Sequence, residues 1–275
     1  MRFKAGLMIV LILMAVTGRV YSDSLSVATL NLHRFFDTVD DPLRRDKVLT
    51  LTSFEKKTEG LARFISNTLA CPDVVAVQEV ENLSVLKKLA ESACPDKKRY
   101  LAYLHEGNDI SGMDVGFLVS SRLKVQGVRQ LGRNIKTKGS RYSLFDRPPL
   151  LLALSKKMCG ASQLNVVVVH NRSFIGLNHK KKGPRVRSKR LQQARWIGSW
   201  VHSWRQSHPN KSFMLLGDFN ALPGGKELSS LNKGVENGGD RLLESLGVSI
   251  PKAKRYSYIF QGRKQAIDHI FVSSD

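Results

Sequence analysis

Asp218 and Asn220 close the run Leu215-Leu-Gly-Asp-Phe-Asn220, two positions apart, and in an extended strand that spacing puts both side chains on one face. A carboxylate and an amide so paired can hold a water, the hydration shell of a metal or a phosphoryl oxygen. Alone, Gly-Asp-x-Asn is ordinary turn chemistry. Other apolar runs, however, finish in the same manner: Val27-Ala-Thr-Leu-Asn31, Val74-Val-Ala-Val-Gln-Glu79, Val166-Val-Val-Val-His170 and Ala266-Ile-Asp268. Buried strands rarely finish on carboxylates unless a cation, hydrogen bonds or water receive them, because an unpaired buried charge is costly. A shared mouth that binds a divalent metal satisfies all five runs at once.

The elements that must position these residues are legible as patterns. Leu150 to Leu154 and Val166 to Val169 read as strands covered on both faces, while Leu25 to Leu30 mixes apolar and small polar residues. Helical stripes run through Leu61, Phe64, Ile65 and Leu69, and through Leu83, Leu86, Leu89 and Ala93 after Asn82. A long helix with Ser188 as its cap carries Leu191, Ala194, Ile197, Val201 and Trp204 on one face, its tryptophans serving packing rather than base stacking. Gly234 to Gly239 reads as a surface loop. Two stacked sheets with helices outside account for this mixture, and the pattern shows neither internal repeat nor second domain.

The set Asn31, Gln78-Glu79, His170, Gly217-Asp-Phe-Asn220 and Ile267-Asp268, in that order, resembles the endonuclease/exonuclease/phosphatase superfamily, the deoxyribonuclease I-like phosphoesterases. Asn31-Leu-His-Arg-Phe-Phe-Asp-Thr-Val-Asp-Asp-Pro42, Gln78-Glu-Val-Glu-Asn82, Gly112-Met-Asp-Val-Gly116 and Arg147-Pro-Pro-Leu150 are similar to its secreted bacterial members. The resemblance implies an α/β four-layer αββα sandwich. It implies Glu79 as the principal ligand of Mg²⁺ (or of Mn²⁺ or Ca²⁺) with Asn31 assisting, His170 on the scissile phosphate, Asp218 orienting or deprotonating the attacking water, and Asn220 on a phosphoryl oxygen. Asp268 belongs to the catalytic set, Arg172 keeps a phosphate-facing charge, and Arg147 and Asp114 support the site, Arg147 either as a substrate contact or, equally, as a structural ion-pair partner. Asn171 and Ser111 depart from the family pattern, the latter standing where relatives often carry arginine. Asp268 resembles the aspartate that orients a final catalytic histidine in a Ser-Asp-His-x-Pro stretch, and no such stretch precedes Asp275. The expectation is therefore a sandwich without its last strand and terminal histidine. An Asp268-His269 dyad is the alternative, although strand alternation turns His269 to the opposite face.

Residues 1–22 carry Arg2 and Lys4, an apolar run from Leu7 to Val16 and a polar exit, and are expected to be a signal peptide, with the domain over 23–275. An uncleaved anchor is the other reading. The predicted location is secreted or periplasmic, with no transmembrane segment after cleavage. The formal charge of +21, or +18 once Arg2, Lys4 and Arg19 are removed, favours polyanions. Lys180, Lys181, Lys182, Arg185, Arg187, Lys189 and Arg190 crowd the segment after His170, and Lys181, Arg185 and Arg187 are expected to grip a nucleic-acid backbone without base readout. Cys71 and Cys94 bracket one strand-helix unit and could form a disulfide; Cys159 is left over. Taken together, these readings predict a secreted metal-dependent nuclease of low specificity, with nucleic acid as substrate and no stable protein partner. A phosphatase or sphingomyelinase-like phosphodiesterase on the same scaffold, and a non-catalytic polyanion-binding module, are the alternatives.

Overall fold

The computed structural model describes residues 24–97, 99–155, 163–237 and 240–273. One sheet holds β1 (Val27–Phe35), β2 (Val74–Val80), β3 (Tyr100–Leu104) and β4 (Asp114–Ser120) in the order β1-β2-β4-β3. The second holds β5 (Val125–Gln130), β6 (Leu150–Ser155), β7 (Gln163–His170), β8 (Ser212–Asp218), β11 (Leu243–Ser245) and β14 (Asp268–Ser273) in the order β11-β14-β8-β7-β6-β5. Two short antiparallel ladders complete the strands, β9 (Glu236–Asn237) with β10 (Asp240–Arg241), and β12 (Tyr258–Phe260) with β13 (Arg263–Gln265).

Period-two alternation explains the layering. Val74 and Ala76 of β2, with Val115, Phe117 and Val119 of β4, meet Leu150, Leu152, Val166, Val168 and Leu216 of the other sheet in a core between the two. Their neighbours Val75, Val77 and Leu118 face outward onto Ala62, Val85, Leu86 and Leu89, which belong to α1 (Leu51–Arg63) and α2 (Leu83–Ser92). On the far side, Leu151, Val167, Val169 and Leu215 pack on Ile197, Val201 and Trp204 of α3 (Gly183–Ser207) and on Leu228 and Leu231 of α4 (Lys226–Gly234). The result is the expected αββα sandwich. Strands buried on both faces read as unbroken valine and leucine because each face meets a layer.

Asn82 caps α2 by accepting the Val85 N–H, as its Asn-Leu-x-x start suggests. Other boundaries differ from expectation. Helix α3 starts at Gly183, five residues before Ser188, because Pro184 in its first turn pre-sets the helical φ without needing a side-chain cap. The Leu61–Leu69 stripe crosses from α1 into a π turn over Phe64–Thr68. Part of the predicted Gly234–Gly239 loop is the β9–β10 ladder, and Asp268 opens β14 rather than closing a strand.

Cys71 and Cys94 are disulfide-bonded, tying the entry of β2 to the residues after α2. Cys159 and the apolar leader lie outside the described residues. Among the described residues no helix is long and apolar enough to cross a membrane.

Candidate active site

Strand register brings the chemistry together. In the second sheet His170 of β7 pairs with Asp218 of β8, and Asp218 pairs with Asp268 at the start of β14, so three polar groups from distant segments occupy one rung. In the first sheet Asn31 pairs with Gln78, and both strands then lose register, between Asn31 and Phe35 and between Gln78 and Val80. Such bulges re-aim side chains beside functional sites. Glu79 sits in the second irregularity with φ +60°, and His33 and Arg34 in the first with φ +56° and +61°. A left-handed conformation at non-glycine residues is costly and persists only where the surroundings enforce it. Here the Lys57 ammonium holds the His33 carbonyl at 2.5 Å and the Arg34 carbonyl at 2.8 Å.

Two carboxylate oxygens, an amide donor and an imidazole nitrogen gather across the sheets. Asn31 Nδ2 lies 3.1 Å from Glu79 Oε1 and 3.2 Å from Asp218 Oδ2, and His170 Nε2 lies 3.8 Å and 3.6 Å from the same two oxygens. Burial, followed by the positive charge of Arg147, holds His170 well below its ordinary 6.5, so the imidazole is neutral and these contacts are not ion pairs. Its Nδ1 is buried without a protein partner among the described residues. Burial also pushes the Asp218 carboxyl up to about 7, the facing Asp268 adding to the rise and N–H donors from Asn220 and Asn31 opposing it. Asp268 rises to about 6 by burial, opposed by its hydrogen bond with Ser257.

The β8 exit is built for close approach. Gly217 has φ +129°, and a Cβ there would overlap the Val169 carbonyl of the adjoining strand, so only glycine lets Asp218 lie against His170. Asp218 Oδ1 takes the Asn220 backbone N–H at 2.8 Å, and its carbonyl takes the Asn171 N–H at 3.0 Å. Asn220 gives an amide hydrogen to the Asn171 carbonyl at 3.1 Å.

Several expected residues take other positions. Asn31 Oδ1 accepts the His33 N–H at 2.8 Å, so Asn31 turns its Nδ2 to the mouth and braces Glu79 and Asp218 rather than offering a ligand oxygen. Arg147 is buried, joined at 3.0 Å to Asp109, whose other oxygen takes the Ser111 backbone and hydroxyl hydrogens. Asp114 is fully buried, takes the Gly107 N–H at 2.9 Å and rises to about 8 through burial; it supports the loop carrying Asp109 rather than the mouth itself. Arg172 turns its guanidinium to the Ile175 carbonyl at 3.3 Å.

The basic cluster divides in two. Lys189 is anchored on Asp146 at 2.8 Å, and Arg190 on Glu227 at 2.9 Å and on the Arg172 and Asn220 carbonyls, where it pins the two loops flanking the mouth. Lys180, Lys181, Lys182, Arg185 and Arg187 are exposed around the start of α3. Arg185 stacks 4.1 Å above the Tyr142 ring, and Arg187 reaches the Leu177 carbonyl at 2.8 Å. His269 packs edge-on against Phe219 with Nε2 2.7 Å from the Ala221 carbonyl, which removes the Asp268-His269 dyad from consideration. Sequence reasoning missed three supports: Lys57 behind the first bulge, Asp109 behind Arg147 and Ser257 on Asp268. None lies in a strand-end run, which was the signal used.

The Glu79 and Asp218 carboxylates, bridged by the Asn31 amide, offer hard oxygen donors that fit a divalent ion such as Mg²⁺. Among the described residues no group of three or more His, Cys, Asp or Glu side chains is placed to hold a metal ion. An ion held by one or two carboxylates that keeps much of its water needs none.

A family model described as Endonuclease/Exonuclease/phosphatase family matches residues 26–275. The chain belongs to this family. No curated protein matches the sequence. Among solved structures, D. rerio TDP2 complexed with single strand DNA product is 16% identical with TM-score 0.57, covering 91% of this chain and 84% of that one. A β-hairpin deletion mutant of β toxin from Staphylococcus aureus is 15% identical with TM-score 0.59, covering 92% and 88%. The Bacteroides thetaiotaomicron mannosyl-6-phosphatase Bt3783 is 16% identical with TM-score 0.54, covering 92% and 86%. At this identity the likeness is one of fold. Family members are typically hydrolases of phosphoester bonds and generally depend on a divalent metal.

Proposed function

We propose that this chain is an exported, Mg²⁺-dependent phosphodiester hydrolase that cuts nucleic acid, DNA or RNA, with little sequence preference by in-line attack of water. The observation that carries the reading is the four-group cluster of Glu79, Asp218, Asn31 and His170, with the Asp218 carboxyl raised to about 7. A base poised near the working pH accepts a proton from water and releases it readily.

Glu79 would hold the metal, with Asn31 bracing it; the bound ion would polarise a phosphoryl oxygen and offset developing charge. Asp218 orients the attacking water and takes its proton. Neutral His170 presents Nε2 to the phosphate, and the remaining Asn220 amide hydrogen meets a phosphoryl oxygen, so fixed dipoles face the charge as it forms. Burial, with the Arg147 charge adding to it, favours the neutral imidazole. Exposed Lys181, Arg185 and Arg187 draw the backbone toward the mouth without reading bases. The polyanion preference of a chain of net charge +21 supports a nucleic-acid substrate, as does the single strand DNA product held by the structurally similar D. rerio TDP2. Export is supported by the apolar leader and by a disulfide suited to an oxidising compartment.

The test is a substrate panel with and without Mg²⁺: plasmid DNA, single-stranded DNA, RNA, a sugar phosphomonoester and sphingomyelin. Metal-dependent loss of the nucleic acids is expected. Turnover of the monoester or lipid alone would replace this reading with a phosphatase or lipid phosphodiesterase, and salt-sensitive nucleic-acid binding without turnover would reduce the chain to a binding module.

A further inference from the structure

The segment between β11 and β14 carries an exposed aromatic surface that the site does not use. Tyr256, Tyr258, Ile259 and Phe260 are 40%, 44%, 56% and 49% exposed, an unusual outlay for large apolar side chains on a short hairpin. Tyr258 and Phe260 lie on one face of β12 with rings 6.3 Å apart and 18° from parallel, and Arg263 is the register partner of Phe260. Lys264 sits 4.4 Å above the Tyr256 ring. From Ser245 to Ile267 there is no Asp or Glu, while Lys252, Lys254, Arg255, Arg263 and Lys264 supply positive charge.

This surface is tied to the mouth. The Ser257 hydroxyl oxygen, one residue before Tyr258, takes the N–H groups of Ile267 and Asp268 at 3.2 Å and 3.1 Å. Ser257 N–H in turn bonds the Gln265 carbonyl, which seats the hairpin on the strand entry that presents the Asp268 carboxylate.

We infer that the β12–β13 hairpin is a stacking platform for unpaired bases of single-stranded nucleic acid, placed beside the catalytic mouth and making single strands the preferred substrate. Two near-parallel exposed rings on a hairpin that also carries Arg263 and Lys264 are the groups that hold a strand whose bases are free, and a paired duplex hides those faces. A bilayer is the less suitable occupant. The hairpin turn is Gln261-Gly262 followed by Arg263 and Lys264, so its tip is polar and charged where an inserting hairpin would be apolar.

The inference rests on the phosphodiester reading of the adjoining site, and binding in EDTA keeps the two separable because it needs no turnover. Fluorescence anisotropy would compare a 12-nucleotide oligothymidine, a 12-base-pair duplex and anionic phosphatidylglycerol vesicles on the full chain. The Tyr258→Ala/Phe260→Ala variant is expected to melt as the parent does and to lose about 10-fold or more in single-strand affinity, on the usual scale of one stacked base per ring. Tyr258→Phe should keep that affinity, since the ring and not the hydroxyl is used. Duplex affinity should be little changed. Equal single-strand affinity in parent and double variant, an equal loss for single strand and duplex, or a loss confined to vesicles would each overturn the inference.

Discussion

The left-handed backbone at Glu79 and Asn220, with φ +60° and +49°, marks two non-glycine positions that the surrounding fold holds in a costly conformation at the exits of β2 and β8. Glu79→Gln keeps the volume and removes the charge, so metal-dependent turnover should fall by more than about 100-fold while the melting temperature holds or rises, since the lost term is worth several kcal/mol in the transition state only. Asp218→Asn should cost about 10² to 10⁴ in kcat with KM little changed, measured on the same oligonucleotide. Strand-end polar residues were legible because an apolar run ending on a carboxylate is expensive without a purpose. What Arg190 and Lys189 do was not legible, because a run of cations reads alike whether it meets solvent or turns inward to Glu227 and Asp146. Asn31 was half legible: its position was evident, but which amide atom faces the mouth is set by the His33 N–H.

Among the elements, β8 depends on a glycine for its approach to β7. Gly217→Ala should destabilise by about 1–3 kcal/mol and misplace Asp218, seen as a lowered denaturation midpoint together with lost activity. The Cys71–Cys94 bond closes a loop between residues 23 positions apart, and its replacement by serines should lower unfolding free energy by about 3 kcal/mol in urea titrations. Period-two alternation made the two sheets readable, since inward Val74 and Ala76 and outward Val75 and Val77 meet different layers. The start of α3 was missed because proline in a first turn replaces the capping side chain that was sought. The β12–β13 hairpin was missed because its residues lack the alternation of a half-buried strand: Tyr258, Ile259 and Phe260 are all exposed.

Over the whole molecule, burial raises Asp218 and Glu81 to about 7, Asp268 to about 6 and Asp114 to about 8. Each holds its proton more tightly folded than unfolded, so between pH 4 and about 8 the native state carries more protons and stability falls as pH rises. Thermal melts of metal-free protein should decline across that window, and Mg²⁺ should recover the loss most at the upper end, where the mouth carboxylates are ionised. The exposed cations at Lys180, Lys181, Lys182, Arg185 and Arg187 should give duplex binding a log-log salt slope of about −4.5, and replacing the three lysines by glutamine should reduce its magnitude by about 2.7. The central claim is convergence of Glu79, His170, Asp218 and Asp268 on one metal-bearing mouth. The most direct measurement is Mn²⁺ binding, followed by electron paramagnetic resonance, in the parent and in Glu79→Gln and Asp218→Asn, alongside cleavage of a labelled single-stranded oligonucleotide. The account predicts one bound ion in the parent, with binding and cleavage lost together in Glu79→Gln. Unchanged binding and cleavage in that variant would contradict it.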